Sequence, residues 1–361
     1  MKNKYIEIIV VFFTLGMVAF GGPAAHIGLM ESEFVEKRKW LSRETFLDMI
    51  GFTNIIPGPN STEMASLIGY ERARNAGLIL AGVSFILPAF IMVLALSFVY
   101  QQWTSFDVLT RILMGITPII VAIVLLALIR LAKKVNANGL SWGLFGLILT
   151  LGLFTSINEL WLLALGALIY LGLQLRPKTT VMMEPFSLLL LFLTMLKIGS
   201  VLYGGGYVLL AYFNADFIER LGWITTQQLI DAVTIGQLTP GPIFTTATFI
   251  GFIVGDVSGA ILATIGIFAP SFVIMMVLYP QVDKVKNHRW LKPILKGISI
   301  ASIALMANVT WILFQESILT PWETTMVPMV LFFSAIPILQ FTKVHPVIAI
   351  AIGGLVGGLL L

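Results

Sequence analysis

Asn54-Ile55-Ile56-Pro57-Gly58-Pro59-Asn60-Ser61-Thr62-Glu63 interrupts an otherwise apolar region of the chain. Its two prolines lack backbone donors and fix their φ angles, and the glycine between them permits a sharp reversal. A regular helix cannot run through it. A second break, Gln237-Leu238-Thr239-Pro240-Gly241-Pro242, places its Pro-Gly-Pro 183 residues further on. Irregular backbone at membrane depth is tolerated only where it is buried in protein or lines a polar cavity. Matched helix breaks in two halves of a chain point to the substrate site of a carrier.

Composition supports a membrane setting. The 361 residues are 58% hydrophobic and 11% charged, with a mean hydropathy of +0.96. Soluble domains carry about 25% charge. Apolar runs at 78–100, 112–129, 160–175 and 294–314 are long enough to span a bilayer or nearly so. The first apolar run continues through Phe20-Gly21-Gly22-Pro23 without a convincing cleavage site and reads as a retained span rather than a signal peptide. The net charge of +4 resides in short loops, where it sets orientation, so nucleic acid is not an expected partner. Zero cysteines exclude disulfides and thiolate chemistry, and three scattered histidines offer no metal cluster. Neither a cofactor, a metal nor an enzymatic activity is expected.

The breaks belong to a longer tandem repeat. At an offset of 183, Gly21-Gly22 matches Gly204-Gly205, Glu33 matches Asp216, Trp40 matches Trp223, and Asp48 matches Asp231. After a one-residue slip, Gly69 matches Gly251 and Pro88 matches Pro270. The expected fold is therefore all-α and polytopic, with a first repeat over 1–176, a linker over 177–185 and a second repeat over 186–361. Each repeat reads as a first span (8–28; 186–206), two short helices around Pro-Gly-Pro (44–56 and 60–70; 226–239 and 243–254), then four ordinary spans. Helices of about 11–14 residues cannot cross a bilayer that needs ~20, so each short pair reads as a re-entrant hairpin. Five crossings per half invert the second half relative to the first. With the linker in the cytoplasm, 17 of the 22 basic residues fall inside, which satisfies the positive-inside rule and puts both termini outside the cytoplasmic membrane.

The half-helices that begin after each Pro-Gly-Pro present N–H groups and a positive dipole end, which suits an anion. Candidate substrate-binding residues are Asn54, Pro57, Gly58, Pro59, Asn60, Ser61 and Thr62 at one tip. Gln237, Thr239, Pro240, Gly241, Pro242, Thr245 and Thr246 form the other. A helix end contributes about 0.3–1 kcal/mol, and ~2 when partly buried, too little for two of them to desolvate a dianion, so a fixed cation is expected, and Lys197 lies within its span. Gly21, Gly22, Gly204 and Gly205 either unwind a helix beside a ligand or permit close packing. Glu63, Asp48 and Asp231 are candidates for ion coupling, with salt bridging to basic loops as the other reading.

Several of these stretches resemble the signatures of the chromate ion transporter family. They are Phe20-Gly21-Gly22-Pro23-Ala24-Ala25-His26-Ile27, Trp40-Leu41 and Pro57-Gly58-Pro59 in the first half. Tyr203-Gly204-Gly205-Gly206-Tyr207, Gly222-Trp223, Gly236 to Pro242 and Phe268-Ala269-Pro270-Ser271-Phe272 follow in the second. The resemblance implies a carrier that expels chromate, with sulfate as the similar anion; a homodimer is a further expectation. Asn54, Ile56 and Glu63 depart from the family's usual Gln, Leu and Gln, and the extra carboxylate points to a different anion or to a protonatable coupling group. The alternatives are a carrier for sulfate or another anion, and a passive anion channel.

Overall fold

The computed structural model describes residues 4–20, 23–54, 56–103, 107–134, 139–154, 162, 165, 186–202, 208–281, 291–319, 325–342, 344 and 346–360. Thirteen α-helices are described: α1 Lys4–Val18, α2 Pro23–Met30, α3 Arg43–Thr53, α4 Asn60–Trp103, α5 Asp107–Lys134, α6 Gly139–Phe154, α7 Leu188–Val201, α8 Leu209–Phe213, α9 Thr226–Leu238, α10 Thr246–Leu278, α11 Leu291–Phe314, α12 Val327–Phe341 and α13 Pro346–Leu360. The span expected at 157–175 lies almost wholly outside the described residues.

Two compact units emerge. One comprises 1–98, 187–206 and 235–288; the other comprises 99–186, 207–234 and 289–361. Each unit draws on both sequence repeats.

In the first unit, α1 buries Ile8, Val11, Phe12 and Leu15, the i, i+3, i+4, i+7 stripe of an amphipathic helix. They join Phe34, Phe46, Phe52, Phe85 and Met275 in one apolar core. α4 and α10 are not straight rods. Ala73 (φ −151°, ψ 29°) and Arg74 (φ 52°, ψ −143°) break α4, and Gly255 (φ −152°, ψ 26°) and Asp256 (φ 52°, ψ −150°) break α10. Around the first break Gly69 packs on Gly77 and Ala81, and Ser66 faces Gly82. Around the second, Gly251 packs on Gly259 and Ala263, while Thr248 bonds Thr264 at 2.8 Å. These pairings make each helix an antiparallel hairpin: a short arm (60–72; 246–254) and a long arm (75–103; 257–278). Glycines let the arms approach to backbone contact.

The second unit packs α5 against α12 and α13. Gly115 lies against Gly353 and Gly357, where no side chain would fit. α6 packs on α11.

The repeat extends to the backbone. A π-helical turn at Glu31–Lys37 recurs at Asn214–Arg220. Trp40 N bonds Phe34 O at 2.8 Å, and Trp223 N bonds Phe217 O at 2.9 Å. Left-handed Lys39 (φ 52°) has its counterpart in Gly222 (φ 63°).

One expectation needs correction. The first spans were read as reaching 28 and 206, but α1 ends at Val18 and α7 at Val201, matched positions ahead of the glycines. At 15 and 14 residues they reach about 22 Å, short of a ~30 Å hydrocarbon core. The physical reason is that the next carbonyls, of Ala19 and Leu202, accept hydrogen bonds from elsewhere in the unit.

Candidate functional site

Both Pro-Gly-Pro tips lie in the first unit. Gly58 has φ +136° and Gly241 φ +102°, values that L side chains rarely adopt. The backbone N–H of Gly58 donates to Leu202 O at 2.9 Å, and that of Gly241 donates to Ala19 O at 2.8 Å. Since Ala19 and Leu202 are themselves repeat mates, the two bonds form a reciprocal pair. Each tip is anchored to the end of the other repeat's first helix. His26, 2% exposed, adds a bond from Nε2 to the same Ala19 carbonyl at 2.8 Å, which requires the proton on Nε2.

The surroundings of the tips differ. A Cβ on Gly58 would overlap Ser271 Oγ and Glu63 Oε1, whereas a Cβ on Gly241 would meet Ala89 Cβ at 2.7 Å. Ser271 Oγ also donates to Pro57 O at 3.4 Å. Thr62 N and Glu63 N turn onto Pro59 O at 2.8 and 3.1 Å, so the N–H groups of Asn60 and Ser61 are the first two of the helix, ahead of its own hydrogen bonds. Asn60 Nδ2 donates to Asn54 Oδ1 at 3.0 Å, and Asn54 Nδ2 to Ile50 O at 2.8 Å, so these amides brace the turn.

At the second tip the hydroxyl protons are spent locally. Thr239 donates to Ile235 O, Thr245 to Pro242 O and Thr246 to Ile243 O at 3.1, 2.9 and 2.7 Å. Gln237 Nε2 is a buried donor without a hydrogen-bond partner. Pro240 and Pro242 are buried, as are Gly58 and Pro59; Pro57 is half-buried.

Lys197 is half-buried on α7, two residues before Gly199, which packs against the Ile267 backbone of α10. Its repeat mate is Thr14, whose hydroxyl bonds Val10 O at 2.8 Å. Gly21, Gly22, Gly204 and Gly205 lie outside the described residues.

The two matched acids part company. Asp48 is exposed on α3. Asp231, 2% exposed, belongs to the second unit, where Tyr100 OH donates to Oδ2 at 2.6 Å and Gln227 Nε2 to Oδ1 at 2.9 Å. Neutral donors, rather than the basic loops, hold it. The basic loops find other acids: Arg38 reaches Glu33 at 2.6 Å and Glu7 at 3.4 Å, Arg72 reaches Glu7 at 3.1 Å, and both guanidinium groups stack on Trp40. Arg38 holds the Glu33 carboxyl below its ordinary range.

Sequence reasoning missed the Ala19 and Leu202 carbonyls, because a backbone acceptor leaves no residue signature. It also gave Ser66 and Ser271 no role; both are 0% exposed.

Glu63 is the outlier. It is 0% exposed, and neither carboxylate oxygen has a hydrogen-bond partner. Long apolar helices, broken at repeated positions around buried polar groups, define a multi-pass membrane protein of the transporter class. The chain belongs to the chromate transporter family, whose model matches twice, over residues 6–171 and 189–358. It is 25% identical to a chromate transport protein of Pseudomonas aeruginosa, over 85% of this chain and 80% of that protein. It is 26% identical to one of Cupriavidus metallidurans, over 86% and 83%. An uncharacterized transporter of Methanocaldococcus jannaschii is 28% identical, over 88% and 86%. No solved structure matches.

Proposed function

We propose that the chain is a secondary active carrier of a small tetrahedral oxyanion, with chromate leaving the cell across the cytoplasmic membrane. The observation that carries the reading is the reciprocal anchoring of Gly58 and Gly241, which brings both repeats into a single frame in the first unit. Relatives named chromate transport proteins supply the substrate class.

In this account the two repeats, 1–176 and 186–361, run in opposite directions through the bilayer, joined by a cytoplasmic linker over 177–185. The reversals at 73–74 and 255–256 end the short arms, so the Pro-Gly-Pro tips re-enter the membrane. Arg72 and Arg74, at the first reversal, face the cytoplasm. The anion is bound by the Asn60 and Ser61 N–H groups, Gln237 Nε2 and Lys197, which provides the fixed positive charge. Expelling a dianion from a negative interior gains about 2.3 kcal/mol per charge per 100 mV, ~4.6 in all, so membrane potential alone drives export.

The test is flux of labelled chromate in proteoliposomes at an imposed potential, with sulfate as competitor. Potential-driven chromate movement with counterflow is the expected result. Absence of flux from folded protein contradicts the substrate assignment, and flux without counterflow replaces the carrier by a channel.

A further inference from the structure

We propose that Glu63, together with Thr62, Ser66, Ser271 and the Pro57 carbonyl, forms a binding site for a dehydrated sodium ion whose occupancy raises oxyanion affinity at the first tip. The cation site stands on geometry alone; its effect on the anion rests on the carrier reading above.

Four oxygens in the first two turns of the short arm are buried without a partner: both carboxylate oxygens of Glu63, Thr62 Oγ1 and Ser66 Oγ. All three residues are 0% exposed. Native proteins pair nearly every such group. At 100° per residue, the three side chains fall within about 100° of arc on one helix face. Opposite them stand Ser271, against Gly58 and Glu63 Oε1, and Phe272, whose ring closes on Gly82 beside Ser66. Ser271 Oγ and Pro57 O, bonded to each other, add two more oxygens at the same turn.

The chemistry of the donors selects the ligand. Every donor is an oxygen, and the site carries one formal negative charge. Among the described residues no Lys or Arg pairs with Glu63, which is 0% exposed, so its charge is compensated neither by an ion pair nor by contact with bulk solvent. A monovalent cation leaves the site neutral. A divalent ion would leave a net buried charge, and no group of three acidic or histidine side chains exists among the described residues to hold one. A proton on Glu63 would leave the hydroxyls of Thr62 and Ser66 without a partner.

The second tip lacks the site. Thr246 and Ala89 stand where Glu63 and Ser271 stand at the first, and the mate of Ser66 is Thr248, whose hydroxyl is bonded to Thr264. With the site empty, the Glu63 carboxylate lies three residues from Asn60 and opposes an oxyanion there. Sodium removes that opposition, and by linkage the anion must tighten sodium by the same factor.

The test is thermal melting of the purified full-length protein at pH 7, in sodium chloride against potassium chloride at equal concentration. Sodium should raise the wild-type midpoint by several degrees and saturably. Glu63→Gln, checked for monodispersity, should lose the response, and Ser66→Ala should weaken apparent sodium affinity at least tenfold. Equal midpoints in the two salts overturn the proposal, as does a sodium response retained by Glu63→Gln. Stabilisation reproduced by acidification in potassium alone makes the occupant a proton and also overturns it. Melting in chloride salts requires no oxyanion, so this result and the flux result fail independently.

Discussion

The two Pro-Gly-Pro tips share a frame and differ in chemistry. Gly58 and Gly241 adopt left-handed φ values, and each donates its N–H to a carbonyl at the end of the other repeat's first helix. Against that common backbone, the first tip has Glu63 and Ser271 where the second has Thr246 and Ala89. The lysine is divided the other way, Lys197 in the second repeat standing where Thr14 stands in the first. Duplication thus preserved the backbone geometry of the tips, while one negative and one positive side chain went to opposite repeats. In the proposed carrier, the geometry common to both tips serves anion binding, and the chemistry present once serves direction and ion dependence.

The largest effect is expected from the lysine charge on α7. Lys197→Ala should reduce chromate flux at least tenfold with little loss of folded protein, because the helix ends alone cannot offset anion desolvation. Restoration by Lys197→Arg would support a charge role; wild-type flux in the alanine variant would remove Lys197 from the site.

A second contrast concerns the acids that precede the tips. Tyr100→Phe leaves buried Asp231 short of one donor and should cost about 1–3 kcal/mol in melting experiments. Asp48→Asn, at the exposed repeat mate, should stay within about 0.5 kcal/mol. Equal costs would mean that burial does not distinguish the two positions.

The reversals come next in size. Arg74 and Asp256 hold a backbone conformation suited to glycine, at about 1–3 kcal/mol of strain each. Arg74→Gly should therefore raise the midpoint by an amount corresponding to about 1 kcal/mol, after glycine's greater unfolded entropy is subtracted. A fall would show that the Arg74 side chain, stacked on Tyr70, outweighs the strain.

The smallest effect is expected at the surface network. Arg38→Gln should cost under about 1 kcal/mol at pH 7. Because Glu33 is held below its ordinary range, this contribution is present above the unfolded carboxyl value and disappears as pH falls through the folded one. Wild type and variant should thus converge in acid; a gap that persists there would assign the loss to Trp40 packing instead.

Much of this frame was legible in the sequence, because proline and glycine constrain the backbone locally. The breaks at 57–59 and 240–242 and the short helices around them follow from that rule, whereas the polar stretch at 71–76 was legible from its charges. The early ends of α1 and α7 did not, since hydropathy continues through Ala19-Phe20 and the cause is a tertiary bond to a backbone carbonyl. The divergence of Asp48 from Asp231 was equally hidden, because identical residues at matched positions meet different burial. Glu63 was visible only as an added charge; its burial beside Ser271, more than two hundred residues away in the chain, was not.

The most direct measurement is chromate flux through Gly58→Ala and Gly241→Ala in matched proteoliposomes. Both variants strain a left-handed turn, and the first also collides with Glu63 and Ser271. If both repeats build one anion site, both variants lose flux, Gly58→Ala the more severely. Wild-type flux through either variant, from folded protein, would contradict a site shared by the two tips.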